Sequence, residues 1–262
     1  MYLFAIGIYI AFFLMILYLI YFIYCNYMTV NKVVIFDMDE TLGHFYQISG
    51  LWYAIKRTNP RATKQDFFDL MDCFQECLRV HIEKVLTYLK KAKAQGKIRR
   101  VIIFTNNQGP KSWSLLIKDY FNYKMNTNLI DKVVGAYKVG NKQIEPHRTS
   151  HVKKYSDILK AANISKSAKL CFVDDQEHGG MKRENIFYIK PTIYSITLSK
   201  SAVIKKVKSC NFYNKFSDSK KETLLQNVVN YVDFRGRPFY YQVHDEVGKR
   251  MMKSIVSFVE KF

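Results

Sequence analysis

Polar side chains end three of the apolar runs in this sequence. Asp37 and Asp39 follow VVIF, Thr105 follows VIIF, and the pair Asp174 and Asp175 follows LCFV. A surface turn explains one such pair of acids, because aspartate favours turns. Three runs that end in this way indicate a site, since parallel sheets bind their ligands beyond the carboxyl ends of their strands.

Carboxylates in this arrangement permit metal-assisted phosphoryl chemistry. Asp37, Asp174 and Asp175 offer the oxygen ligands that a small cation such as Mg²⁺ requires, with positions left for water and a phosphate oxygen. Asp37 would then be the nucleophile that forms an aspartyl-phosphate, and Asp39 would protonate the leaving group and later activate water. Thr105 would hydrogen-bond the transferring phosphoryl group. The alternative for Asp174 and Asp175 is a solvated turn or a helix N-terminus.

The elements that position these residues alternate between strand and helix. We predict strands at 33–36, 100–104, 132–137, 170–173 and 186–189, and helices at 64–78, 82–94, 110–120 and 153–162. An aromatic stretch, 43–61, is predicted as a loop. Strands that alternate with helices form a mainly parallel sheet through right-handed crossovers, with helices on both faces. The predicted fold class is therefore α/β.

The N-terminal segment predicts one transmembrane helix. Residues 2–27 contain no charged residue and no proline, and about 20 such residues suffice to cross a bilayer as a helix. The first charges lie C-terminal to this segment, from Lys32 onward, so the positive-inside tendency places the catalytic domain on the cytosolic side. The alternative is that translation starts at Met28, which would make the protein cytoplasmic.

Composition limits the partners and the compartment. The chain has 262 residues, with 41 Lys+Arg against 22 Asp+Glu and a formal net charge of +19. Such a charge favours acidic partners, namely phosphorylated segments, nucleic acid or anionic lipid, without distinguishing among them. The five cysteines show no paired-ligand spacing and indicate reduced thiols in a cytosol-like compartment.

The order of the motifs resembles that of the haloacid dehalogenase superfamily of phosphotransferases. DMDET, residues 37–41, is similar to the first motif of that family, IIFTNN to the second and FVDD to the fourth. The DETL form of the first motif resembles the branch that holds the phosphatases of the RNA polymerase II C-terminal domain. DETLGHF, FTNNQGPKSW and FVDDQEHGGM look nearest to members of that branch in large DNA viruses and algae. The resemblance covers about residues 32–198.

This resemblance implies a Rossmann-like domain with Mg²⁺ as its cofactor. The implied catalytic residues are Asp37, Asp39, Thr105 and Lys153, the implied metal ligands are Asp37, Asp39, Asp174 and Asp175, and the implied substrate contacts include Thr41 and Asn106. Lys153 is preferred as the cation of the third motif, because an acid and an apolar pair follow it at the spacing of the family. Lys154 and Arg148 are the alternatives.

The segment between the first two motifs is where related phosphatases carry a short flap that reads the substrate. Here it contains Tyr46 and Trp52, which would either line a peptide pocket or pack the flap onto the domain. No large cap domain fits in the chain, so the site should admit a macromolecular substrate. The predicted organisation is an anchor at 1–30, a phosphatase domain at 31–210 and a C-terminal helical extension at 211–262.

Three functions are compatible with these residues. The first is a Mg²⁺-dependent phosphatase that acts through an aspartyl-phosphate on phosphoserine or phosphothreonine in proteins. The second keeps this chemistry on a nucleotide or a nucleic-acid end, which the sequence does not favour. The third is a catalytically silent, membrane-tethered binding module, against which the presence of both first-motif acids argues.

Overall fold

The structure, a computed structural model, describes residues 13–19, 31–236 and 239–262. The strands are β1 (Lys32–Phe36), β2 (Arg100–Phe104), β3 (Ile130–Val134), β4 (Lys138–Val139), β5 (Lys142–Gln143), β6 (Lys169–Val173) and β7 (Ile186–Ile189). The helices are α1 (13–19), α2 (Tyr46–Thr58), α3 (Lys64–Cys73), α4 (Ile82–Ala94), α5 (Lys111–Lys124), α6 (Tyr155–Ala162), α7 (Lys200–Ser209), α8 (Asn211–Asn214), α9 (Asp218–Tyr231) and α10 (Tyr241–Lys261).

Five strands form one parallel sheet in the order β3-β2-β1-β6-β7. β1 is central and every one of its residues is buried, which suits its run of β-branched and aromatic side chains. The predicted α/β class with a mainly parallel, Rossmann-like sheet is confirmed. The strand order also brings the carboxyl ends of β1, β2 and β6 to one edge of the sheet.

Alternate residues of β1 enter two different apolar cores. Val34 and Phe36 belong to the larger core, while Val33 and Ile35 belong to the smaller one on the opposite face. This alternation follows from the two-residue period of a strand. The smaller core is closed by α6, and the larger core takes apolar side chains from α2 to α5 and from α7 to α10.

The aromatic stretch that was predicted as a loop contains a helix. α2 runs over Tyr46–Thr58, and it buries Ile48, Leu51 and Ile55 on one face. Its N-terminus has no side-chain cap and no acid in its first turn, and Gly50 lies in its interior. The sequence therefore lacks the usual start signals of a helix, and burial of the apolar face against the core determines the conformation.

The C-terminal extension, residues 211–262, shares the larger core with the rest of the domain. Phe212, Leu224, Val228, Ile255 and Phe258 are all buried in it. Lys32 at the start of β1 donates a hydrogen bond of 2.7 Å to the carbonyl oxygen of Val259. The extension is thus packed on the sheet and is not a separate appendage.

Two cysteines depart from the expectation of reduced thiols. Cys73 at the end of α3 is paired with Cys210, and their Cα atoms are 6.0 Å apart, a separation that suits a disulfide. Cys77 and Cys171 are free and buried. The expectation therefore does not extend to the pair that links α3 to the end of α7.

Most of the predicted anchor, residues 1–12 and 20–30, lies outside the described residues. Residues 13–19 are helical and carry exposed apolar side chains such as Phe13 and Leu17. None of the helices in the described ranges combines the length and the apolar character needed to cross a membrane.

Candidate active site

The residues that follow β1, β2 and β6 continue the ladder of the sheet by one step. The backbone N–H of Asp37 donates to Val173, that of Thr105 donates to Val134, and that of Asp174 donates to Ile189, over 2.8 to 3.1 Å. The hydrogen bonds of the sheet therefore fix the backbone from which each of the three side chains extends. Positioning of this kind favours a preorganised site.

Three carboxylates converge at this edge. Asp37, Asp174 and Asp175 are all buried, and each offers an oxygen atom within 4.8 Å of those of the other two. Asp39, the fourth predicted ligand, is not part of this cluster, and its carboxylate accepts a hydrogen bond from Asn107 Nδ2 at 2.8 Å. The three-aspartate cluster can hold a small, hard cation.

Lys153 lies between two of the three acids. Its ammonium group contacts Asp37 Oδ1 and donates to Asp174 Oδ2 at 2.7 Å, and the side chain is almost completely buried. Neither alternative cation reaches the acids. Lys154 lies 3.3 Å from the Thr149 hydroxyl, and Arg148 donates to the backbone oxygens of Thr105, Gly135 and His151.

The electrostatic balance differs among the three acids. Burial raises the pKa of Asp37 to about 7, against the opposing effect of the Lys153 ammonium. Burial also acts to raise the pKa of Asp174, but hydrogen bonds from His178 and Lys153 hold it below its ordinary value. The pKa of Asp175 is raised by burial. Three buried acids can carry more negative charge than one ammonium group offsets. A bound cation would therefore be stabilised between them.

Asp39 lies two residues after Asp37 and is partly exposed. Burial raises its pKa to about 6, although the hydrogen bond from Asn107 lowers it. A carboxyl group with such a pKa can exchange a proton near neutral pH, which is what a general acid and base must do. Asn107 was not among the predicted site residues, because its role depends on a partner 68 positions away in the chain.

The side chains of Thr41 and Thr105 form hydrogen bonds within the loops of the site. Thr41 is fully buried, donates to Asp175 Oδ1 at 2.9 Å and accepts from the Asp175 backbone N–H at 3.1 Å. These two hydrogen bonds orient Asp175. Thr105 Oγ1 accepts from the Asn107 backbone N–H at 2.9 Å, which leaves its hydroxyl proton available as a donor.

Asn106, another predicted substrate contact, is hydrogen-bonded to a side chain of the protein. Its Oδ1 accepts a hydrogen bond of 2.7 Å from the Arg148 guanidinium. Arg148 thereby links the loop after β2 to the segment that precedes α6. His178 is a further contact that sequence reasoning missed, since its Nε2 lies 3.3 Å from Asp174 Oδ2.

Arg79 connects two loops of the site through hydrogen bonds to their backbone. This buried side chain donates to the carbonyl oxygens of Glu40, Thr41 and Thr192, and its guanidinium lies over the Tyr194 ring at 5.3 Å. The carbonyls belong to the turn after β1 and to the loop after β7. Arg79 therefore joins the turn that carries Asp39 to the loop after the edge strand β7.

An aromatic cleft opens beside Asp39. It has a volume of about 640 Å³, and its lining residues include Asp39, Tyr46, Trp52, Tyr53, Lys56, Asn107 and Trp113. Trp52 and Trp113 both pack edge-on against the buried Phe67, at 5.2 and 5.6 Å between ring centroids. The predicted residues Tyr46 and Trp52 thus both line the cleft, and Trp52 packs on the core as well.

A second cavity flanks the site on another side. It has a volume of about 440 Å³ and is lined by residues that include Glu40, Tyr46, Asp175, Gln176 and Arg235. Glu40 and Tyr46 line both this cavity and the aromatic cleft. One cavity thus includes Asp39 in its lining and the other includes Asp175.

No family model, curated protein or solved structure matches this chain.

Proposed function

We propose that this protein is a Mg²⁺-dependent phosphoric monoester hydrolase of the haloacid dehalogenase type, which dephosphorylates phosphoserine or phosphothreonine in proteins. The observation that carries the proposal is the contact of one buried lysine, Lys153, with both Asp37 and Asp174 in a three-aspartate cluster. A nucleophile, cation ligands and a fixed positive charge are the parts that phosphoryl transfer requires.

The chemistry of the donor set fits Mg²⁺. Asp37, Asp174 and Asp175 would hold the ion through carboxylate oxygens, and the ion would supply positive charge to the phosphoryl oxygens. Lys153 contacts Oδ1 of Asp37, so the second oxygen of that carboxylate is not committed to this ion pair.

In the first step, a carboxylate oxygen of Asp37 attacks the phosphorus atom of the monoester. The bond from phosphorus to the ester oxygen breaks, and the leaving oxygen takes a proton from Asp39. Lys153 holds Asp37 in place and offsets the negative charge of the phosphoryl group. The products are a free alcohol and an aspartyl-phosphate on Asp37.

In the second step, the carboxylate of Asp39 removes a proton from a water molecule. The water oxygen attacks phosphorus, the bond to Asp37 breaks, and inorganic phosphate leaves. A pKa of about 6 at Asp39 suits both directions of proton transfer. Asn107 fixes the carboxylate for both steps through its hydrogen bond of 2.8 Å.

The aromatic cleft supports a protein substrate over a polyanion. Its charged lining residues are Asp39, Glu40 and Lys56, so acids outnumber bases beside the reacting group. A nucleic-acid strand would bring further phosphates toward these acids, whereas a peptide with one phosphate would not. Apolar side chains near the phosphorylated residue would pack in the cleft against Trp52 and Trp113.

Hydrolysis of para-nitrophenyl phosphate by the full chain, with and without Mg²⁺, tests this proposal. We expect metal-dependent turnover that falls by a factor of at least about 10³ in Asp37→Asn, since removing a nucleophile removes the covalent route. The same substitution at the exposed Asp218 is the control and should leave the rate unchanged. An Asp37→Asn enzyme with the rate of the wild type would rule out this nucleophile.

A substrate panel then separates the two phosphatase functions. Phosphoserine and phosphothreonine peptides should be hydrolysed with higher kcat/KM than nucleotides or 3′-phosphorylated oligonucleotides. The reverse order would assign the enzyme to nucleic-acid ends. Absence of all turnover from folded, Mg²⁺-loaded protein would favour a tethered binding module.

A further inference from the structure

Helix α2 forms one wall of the aromatic cleft. Tyr46, Trp52, Tyr53 and Lys56 line the cleft from this helix. α2 has 13 residues and no side-chain cap at its N-terminus. Isolated helices of this length are marginal in water, so packing must determine where this wall stands.

Helix α9 of the C-terminal extension packs directly against α2. Gly50 approaches it so closely that a Cβ atom there would lie 2.7 Å from the backbone oxygen of Tyr231. The ring of Tyr231 meets that of Tyr53 edge-on at 4.8 Å between centroids. Asn227 Nδ2 donates to Thr58 Oγ1 at 2.9 Å, near the end of α2.

Gln47 connects α2 to the backbone on both sides of it. Its Nε2 donates to the carbonyl oxygens of Leu198 at 3.0 Å and Asp233 at 2.9 Å, and its Oε1 accepts from the Leu198 N–H at 2.8 Å. The side chain is buried, so these hydrogen bonds are shielded from water. Asp233 belongs to the extension, which therefore holds the first turn of α2 as well as its middle and its end.

The same extension reaches the second cavity. Arg235 and Gly236 line that cavity together with Asp175 and Gln176. Within the part of the chain that the structure describes, no side-chain hydrogen bond joins residues 211–262 to Asp37, Asp39, Lys153, Asp174 or Asp175. The extension therefore lines a cavity beside the acids and forms no side-chain hydrogen bond with them in the described residues.

We propose that the C-terminal extension is a substrate-recognition element, which braces α2 from behind and so sets the width of the aromatic cleft for an extended phosphorylated chain. This inference rests on the proposed function. It assigns Gly50, Gln47 and Tyr231 as residues that position α2 for substrate recognition. It also assigns recognition of the substrate's peptide chain and transfer of the phosphoryl group to different parts of the protein.

Two variants weaken the packing of α9 against α2, one on each helix. Gly50→Ala forces α2 and the Tyr231 backbone apart, and Tyr231→Ala removes the ring that meets Tyr53. Arg57→Ala, an exposed position on the same helix, is the matched control. The probes are para-nitrophenyl phosphate, which is too small to reach along the cleft, and a phosphoserine peptide mixture with degenerate flanking residues.

We expect both variants to raise KM for the peptide mixture by about five- to tenfold, because contacts with the peptide are lost equally from the bound state and the transition state. The kcat for para-nitrophenyl phosphate should stay within about twofold of the wild type. Equal losses on both probes, or no change on the peptides, would overturn the proposal. Arg57→Ala should match the wild type on both.

Hydrogen exchange of the α2 amides gives a readout that does not depend on turnover. The brace predicts faster exchange at residues 46–58 in both variants, with α5 unchanged as the internal reference. If the wild type hydrolyses no substrate, the proposed function fails while exchange still decides whether the extension braces the helix. Unchanged exchange across α2 would refute the brace even in an active enzyme.

Discussion

Asp37 and Asp39 lie two residues apart but have different surroundings. Asp37 ends β1 inside the three-aspartate cluster, with the Lys153 ammonium against one of its oxygens. Asp39 faces the aromatic cleft and accepts a hydrogen bond from Asn107. In the proposed mechanism, these different environments would allow the two carboxylates to divide the roles of nucleophile and proton carrier.

The raised pKa of Asp39 predicts how stability depends on pH. In the folded protein the pKa is about 6, above the ordinary value of 3.8. Folding therefore favours the protonated form, so the stability that Asp39 contributes is fully present below pH 3.8 and is lost as the pH rises through about 6. Asn has no charge to bury and can still accept the hydrogen bond from Asn107.

We predict that Asp39→Asn stabilises the metal-free protein at pH 8 by about 1 to 2 kcal/mol, since one pKa unit corresponds to about 1.4 kcal/mol and Asp39 is partly exposed. The gain should disappear at pH 4. Denaturant unfolding in the presence of a chelator measures it. Asp233→Asn is the control, because hydrogen bonds from Arg235 lower the pKa of Asp233 to about 2. A stability difference that is the same at both pH values would contradict the raised pKa.

At the scale of the elements, one arginine holds loops that come from distant strands. Arg79 follows the turn Gln75–Cys77 and precedes α4, yet its guanidinium donates to carbonyl oxygens of the turn after β1 and of the loop after β7. A buried carbonyl that loses its donor destabilises the fold by about 1 to 3 kcal/mol. Arg79 is therefore important for the position of the Asp39 turn.

We predict that Arg79→Met lowers the free energy of unfolding by about 2 to 4 kcal/mol, because three carbonyl oxygens lose a donor while the apolar stem is kept. Denaturant titration gives this quantity. Arg99→Met, at an exposed position, should change it by less than about 0.5 kcal/mol. If both variants unfold at the same midpoint, Arg79 does not hold the loops.

At the scale of the whole molecule, the predicted boundary at residue 210 divides one hydrophobic core. α10 packs on the edge of the sheet, where Phe258 lies 6.1 Å from Phe187 between ring centroids. Phe212 and Leu224, on the C-terminal side of the boundary, are buried in the same core as Val34 of the central strand. Residues 31–210 therefore do not contain a complete core of their own.

We predict that a fragment of residues 31–210 shows no cooperative thermal unfolding, whereas residues 31–262 do. Each large apolar side chain of the extension contributes about 1.5 to 3 kcal/mol through burial, and the stability of a domain is only about 5 to 15 kcal/mol. Circular dichroism against temperature makes the comparison. A sharp transition in the shorter fragment would show that residues 31–210 fold alone.

Much of the central sheet and the acids at its edge could be predicted from the sequence. The runs before Asp37, Thr105 and Asp174 are apolar and contain β-branched residues, and the polar residue follows each run directly. A buried strand and the first residue after it are neighbours in the chain. Local pattern therefore determined both the strands and the candidate catalytic groups, and parallel topology brought them together.

Other features of the site depend on pairs that local pattern cannot reveal. Asn107 meets Asp39 across 68 residues, and Gln47 meets Leu198 across 151. α2 has weak start signals of its own, and only burial against α9 and the core makes it a helix. The sequence by itself determined which groups are candidates for the proposed chemistry, because each strand and the polar residue after it are adjacent in the chain. Only the tertiary structure decided what shapes the cleft beside them, because those contacts join segments that no local period relates.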